Sequence, residues 1–122
     1  MKDRLASFRY AIAGLKTLYK EEHNARIHLF ATFCAILLAI QTKISAEEWL
    51  ILLLVIAVVW ICELFNTALE NLCDKVAPEN NPTIKKVKDL SAAAVLVSSI
   101  LALIVGGILF LPPLIYSIKQ LL

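Results

Sequence analysis

Apolar residues gather into three long runs separated by short polar stretches, preceded by a segment where they recur at helical spacing. In that first segment, residues 1 to about 22, Leu5, Phe8, Ile12, Leu15 and Tyr19 follow three- and four-residue steps. Lys2, Arg9, Lys16 and Lys20 lie elsewhere around the axis. The pattern predicts an amphipathic helix, whose basic residues and aromatic-aliphatic face suit the interfacial plane of a membrane. A soluble helix packed on the protein's own loops is the alternative. The three runs predict spans at about 26–42, 47–75 and 87–118, within a single domain covering 1–122. QTKISAEE makes a tight turn, and Ser45 followed by Glu48 is a capping box opening the second span. VAPENNPTIKK reads as a loop, and Pro112-Pro113 is expected to end the third span. Ser91, Ala92, Ala93 and Ala94 allow close helix approach, while Gly106-Gly107 does the same or bends the helix.

The second run changes character midway. Trp49 through Cys62 carries no charge; then, with no Gly or Pro to stop the helix, Glu63, Asn66, Glu70 and Asp74 appear. At about 100° per residue these four fall within roughly 80° of one another. With Trp49 at one interface, about 1.5 Å per residue puts Glu63 some 20 Å down a core about 30 Å thick. An ionisable residue at that depth is costly and points to function. The plainer reading is that the acids end the span and reach out to water.

Composition agrees with a membrane protein. Sixty per cent of the residues are hydrophobic and mean hydropathy is +0.77, more apolar than the interior of a soluble 122-residue domain would hold. Ten of the twelve cations precede the first apolar run or lie between the second and third, leaving only Lys43 and Lys119. The positive-inside rule then puts the N-terminus in the cytoplasm and the C-terminus outside. Net charge is only +2, and no nucleic-acid partner is expected. Cys34, Cys62 and Cys73 have neither a disulfide-framework pattern nor metal-ligand spacing. Charges run through Arg26 before any apolar run, unlike a cleaved signal peptide. In EEHNARIHL, Glu22 and Arg26 are spaced to pair on a helix face, and His28 reads first as a hydrogen-bonded boundary residue.

Glycine occurs only at Gly14, Gly106 and Gly107, so neither a Walker A loop nor a kinase glycine loop exists. The candidate chemistry is carboxylates (Glu22, Glu63, Glu70, Asp89), an amide (Asn66) and cations (Arg9, Lys88) toward one membrane face. Carboxylates suit a hard divalent cation such as Mg²⁺, which takes one or two of them plus substrate phosphates. Phosphoryl transfer needs that metal, a cation for developing charge and a base for the acceptor hydroxyl. A carboxylate shielded from water suits the base. The set therefore serves ATP-dependent phosphorylation of a lipid alcohol, or equally a proton relay in a carrier.

ELFNTALE at 63–70, followed by VKDLSAAAVL at 87–96, resembles the small prokaryotic integral-membrane diacylglycerol kinase family, which includes the undecaprenol kinases. EEHNARIHL resembles that family's E-x-N-x-R-I-H variant, which leans toward the undecaprenol branch, and similarity runs through nearly all the chain after Gly14. The resemblance implies an all-α homotrimeric bundle with three spans per chain, an N-terminal surface helix and a site at the cytoplasmic face of the bacterial inner membrane. It places the general base on Glu63 and Mg²⁺ on Glu22 and Glu70. It implies nucleotide and phosphate contacts from Asn66, Lys88 and Asp89, with Arg9 a looser match in an irregular N-terminus. Leu90 stands where a Met is common, and the NNPT loop is this chain's own. Singly, Lys88 also satisfies the positive-inside rule, Asp89 a helix start and Asn66 a helix contact. The rivals are a small multidrug-type proton exchanger, expected to have four spans and no Lys-Asp pair, and a non-catalytic assembly subunit.

Overall fold

The computed structural model describes the backbone of residues 2–77 and 81–121, and the side chains of 6–77 and 81–120. These residues form four helices and no strand: α1 (Lys2–Glu21), α2 (His23–Thr42), α3 (Ala46–Val76) and α4 (Pro82–Leu121). The last three are long and apolar enough to cross a membrane.

Each junction has a local cause. Between α1 and α2 only Glu22 leaves helical geometry, at φ −101° and ψ 121°. α2 ends on Lys43 in the left-handed region, φ 52°, where Lys43 N donates to Ile40 O and Ile44 N to Ala39 O. The expected capping box then opens α3: Ser45 N donates to Glu48 Oε2 at 2.7 Å and Glu48 N to Ser45 Oγ at 3.3 Å. Uninterrupted by Gly or Pro, α3 runs 31 residues.

Two expectations about the last helix are overturned. It begins at Pro82, so the second half of VAPENNPTIKK is helical. The Asn81 side chain accepts from Thr83 N at 2.9 Å and Ile84 N at 3.4 Å, and Pro82 takes the first helical position, where a missing N–H costs nothing. Nor do Pro112 and Pro113 stop it; both lie inside the helix. Proline's fixed φ is itself helical, so the loss is two hydrogen bonds and local crowding, which membrane helices tolerate. Just before them, Leu109 and Phe110 are buried with Ala39 and Leu52 in the chain's apolar core. The core thus pins α4 in place on the N-terminal side of the pair.

The inward face of α3 repeats at steps of four and three: Leu52, Ile56, Val59, Glu63, Asn66, Glu70 and Cys73 are buried or half-buried. The seam is apolar in its first half and polar in its second. Opposite it on α4, Ser91 and Ser98 are buried, whereas Ala92, Ala93 and Ala94 are exposed. On α1 the apolar stripe does not turn inward. Phe8, Ile12, Leu15 and Tyr19 are exposed and Leu18 is buried instead, while Leu5 falls outside the described side chains.

Candidate active site

Glu63 is the best-buried charged group described, 1% exposed, and neither carboxylate oxygen has a hydrogen-bond partner. His28 of α2 lies within ion-pair reach, with Nε2 3.6 Å from Oε2. One turn along α3 the Thr67 hydroxyl is also buried and unsatisfied. Buried polar groups are nearly always paired, and those that are not mark strain, chemistry or a missing ligand. Two such residues on one face of α3 mark a candidate site.

Other carboxylates face Glu63. Glu22 at the start of α2 and Glu70 of α3 both act on it electrostatically. Each is half-buried, and neither carboxylate takes a hydrogen bond or ion pair from a described residue. The expected side-chain pairing of Glu22 with Arg26 does not form; Arg26 Nε donates to the Glu22 backbone carbonyl at 3.5 Å. That leaves the Glu22 carboxylate open.

From α4, Lys88 reaches the same end of the helix pair. Its Nζ lies 2.6 Å from Asp74 Oδ1 and within electrostatic range of Glu70. Ser91 Oγ donates to Asn66 Oδ1 at 2.7 Å, a buried link across the α3–α4 seam that fixes the amide. At the α1 end, Asn71 Nδ2 donates to Glu21 Oε2 at 3.4 Å. A single chain thus gathers Glu22, Glu63, Asn66, Glu70 and Lys88. It does not gather Arg9, exposed on α1, or Asp89, exposed and paired with Lys85. No cluster of three metal-ligating side chains occurs among the described residues.

Sequence reasoning passed over two of these residues. His28 reads as a boundary residue because its reach to Glu63 depends on how α2 packs against α3, which no spacing within one helix encodes. Thr67 was legible: four residues after Glu63, it must share its face.

The fold and this site define an integral-membrane protein with a dry, unsatisfied carboxylate and a cation collected near one end of its spans. A family profile described as prokaryotic diacylglycerol kinase matches residues 9–110. A diacylglycerol kinase of Synechocystis is 41% identical over 112 residues, 91% of this chain and 64% of that protein. The undecaprenol kinase of Bacillus subtilis is 32% identical over 108 residues, 88% of each. An Escherichia coli diacylglycerol kinase is 29% identical over 100 residues, 82% of each. The chain belongs to the prokaryotic diacylglycerol kinase family, a family of membrane lipid kinases. It spans just under two thirds of the Synechocystis protein and most of the other two.

Proposed function

We propose that this chain transfers the γ-phosphoryl group of ATP to the hydroxyl of a membrane lipid alcohol, diacylglycerol or undecaprenol, at the cytoplasmic face of the bacterial inner membrane. The observation that supports it most is Glu63, a carboxylate excluded from water with both oxygens unused. Such a group can accept the proton of an alcohol that itself arrives from the lipid phase. Glu22 and Glu70 fit Mg²⁺: they offer hard oxygen donors, half-buried and free of competing partners, and Mg²⁺ commonly takes two carboxylates with nucleotide phosphates. When bound, the ion supplies charge neutralisation at the phosphates. Lys88 stands beside Glu70 to meet the charge of the transferring group, and Asn66, held by Ser91, presents its amide to the nucleotide. Arg9 and Asp89 complete the nucleotide contacts from outside the single-chain cluster, within a homotrimer.

The relatives bear both acceptor names, so the lipid is decided by experiment: radiolabel transfer from ATP to extracted lipids, with diacylglycerol and undecaprenol compared directly. Label in neither acceptor would overturn the kinase reading for this chain. The exchanger is disfavoured by the family match and by three candidate spans, rather than four, among the described residues.

The metal assignment has its own test. Glu70→Gln is expected to weaken Mg²⁺-dependent nucleotide binding at least tenfold, because the amide oxygen is a poorer ligand than a carboxylate. Titration of ATP with and without Mg²⁺ separates this from a folding defect: the metal-free baseline should not move. Unchanged Mg²⁺-dependent affinity would remove Glu70 from the metal.

A further inference from the structure

Thr67 sits one turn beyond Glu63 on α3, is 5% exposed, and its hydroxyl has no hydrogen-bond partner among the described residues. A helical hydroxyl has an easy way out of that condition, a turn back onto the carbonyl three or four residues earlier. This chain takes it elsewhere: Thr42 Oγ1 donates to Leu38 O at 2.7 Å. Ser91 and Ser98, the other buried hydroxyls described, donate to Asn66 Oδ1 at 2.7 Å and to Val95 O at 2.9 Å. Of the three buried hydroxyls, only that of Thr67 stays open. Its place on the helix is also particular. At about 100° per residue, Thr67 lies roughly 40° to one side of Glu63 and Asn66 roughly 60° to the other. Glu63, with both oxygens unsatisfied, stands between them. Side chains four residues apart on a helix have Cβ atoms about 5–6 Å apart, so one oxygen atom can hydrogen-bond to both.

Resting on the lipid-kinase reading above, we infer that Thr67 is a further catalytic residue: its hydroxyl donates a hydrogen bond to the acceptor oxygen of the lipid alcohol while Glu63 takes that oxygen's proton. An alcohol oxygen carries one proton and two lone pairs. The proton passes to Glu63, one lone pair attacks the γ-phosphorus, and the other accepts from Thr67. The alcohol O–H bond breaks as the Glu63 O–H bond forms. The new O–P bond forms as the bond from the γ-phosphorus to the bridging oxygen breaks, and that electron pair leaves with ADP. Thr67 keeps its own proton throughout. Two directional contacts aim the attacking lone pair, whereas one would leave the oxygen free to swing. A hydroxyl already bonded to its own helix would have no proton to give.

Thr67→Val exchanges the hydroxyl for a methyl of similar size, and is expected to lower kcat/KM for the lipid acceptor roughly tenfold. Mg²⁺-dependent ATP affinity should stay within about twofold of wild type. Its Tm should match or exceed that of wild type, because an unsatisfied buried atom is removed and no hydrogen bond is lost. Thr67→Ser keeps the hydroxyl and loses a buried methyl, so it should restore turnover to within about threefold while melting lower. Activity and stability therefore rank the two variants in opposite order; a packing role would make Thr67→Ser the worse of the two in both. Transfer from radiolabelled ATP to a short-chain diacylglycerol and to undecaprenol, each in mixed micelles, gives the first ranking. Thermal melts of the same preparations give the second. Wild-type kcat/KM in Thr67→Val, or a Thr67→Ser chain as impaired as Thr67→Val, would overturn the assignment. So would a lower Tm or a lost oligomer in Thr67→Val, which would give the hydroxyl a structural partner, or a loss of ATP affinity there. A wild-type chain that labels neither lipid would instead bring down the kinase reading, and the role of Thr67 with it.

Discussion

Glu63→Gln is expected to lower phosphoryl transfer by at least a hundredfold while leaving Mg²⁺-dependent ATP affinity within about twofold of wild type. General-base catalysis contributes about 10²–10⁴, so removing the proton acceptor alone accounts for a loss of that size. Gln keeps the shape of Glu, and the pocket leaves both oxygens without partners, so no structural hydrogen bond is broken. Glu63 also faces the carboxylates of Glu22 and Glu70, and neutralising it relieves that crowding. The variant should therefore fold and assemble at least as well as wild type, which separates a chemical defect from a structural one. Single-turnover transfer with radiolabelled ATP, beside equilibrium nucleotide binding, measures the two quantities independently. Loss of ATP affinity with residual turnover would overturn the assignment of Glu63 as the base.

The shared stripe of Glu63 and Glu70 was legible in the sequence because both residues lie on one helix. Between Trp49 and Asp74 the chain carries its own ruler: side-chain spacing gives the stripe, and the absence of Gly or Pro gives continuity. The capping box at Ser45 was equally local and is present in the structure. Where sequence reasoning failed, two local signals competed. At Asn81-Pro82 a loop-like composition outweighed an N-cap followed by proline at the first helical position. At Pro112-Pro113 breaking propensity outweighed the hold of Leu109 and Phe110 in the core. The contact of His28 with Glu63 belongs to a third category, since it depends on the register of α2 against α3. Nothing within either helix fixes that register.

What a single chain leaves undone leads to the other large effect. Asp89 lies 62% exposed beside Lys85, and the small face at Ala92–Ala94 is uncovered, as are Phe65 and Leu72 on α3. Small residues permit the close approach that helix association in lipid requires, and cyclic symmetry repeats one contact around a ring. In the proposed trimer each site takes Glu70 from one protomer and Asp89 from the next. A chain with Asp89→Asn and a chain with Glu70→Gln should each be inactive alone. Co-expressed in equal amounts, they form mixed rings, each with one junction where an intact Glu70 meets an intact Asp89. Random assembly makes about three quarters of the rings mixed, and one site in three of each is restored, so about a quarter of wild-type activity should return. If both residues served from the same protomer, every site would carry a lesion and activity would stay at background. Transfer assays on the co-purified, doubly tagged oligomer read this directly. Background activity in oligomers containing both tags, or full activity in a detergent-solubilised monomer, would end the shared-site proposal.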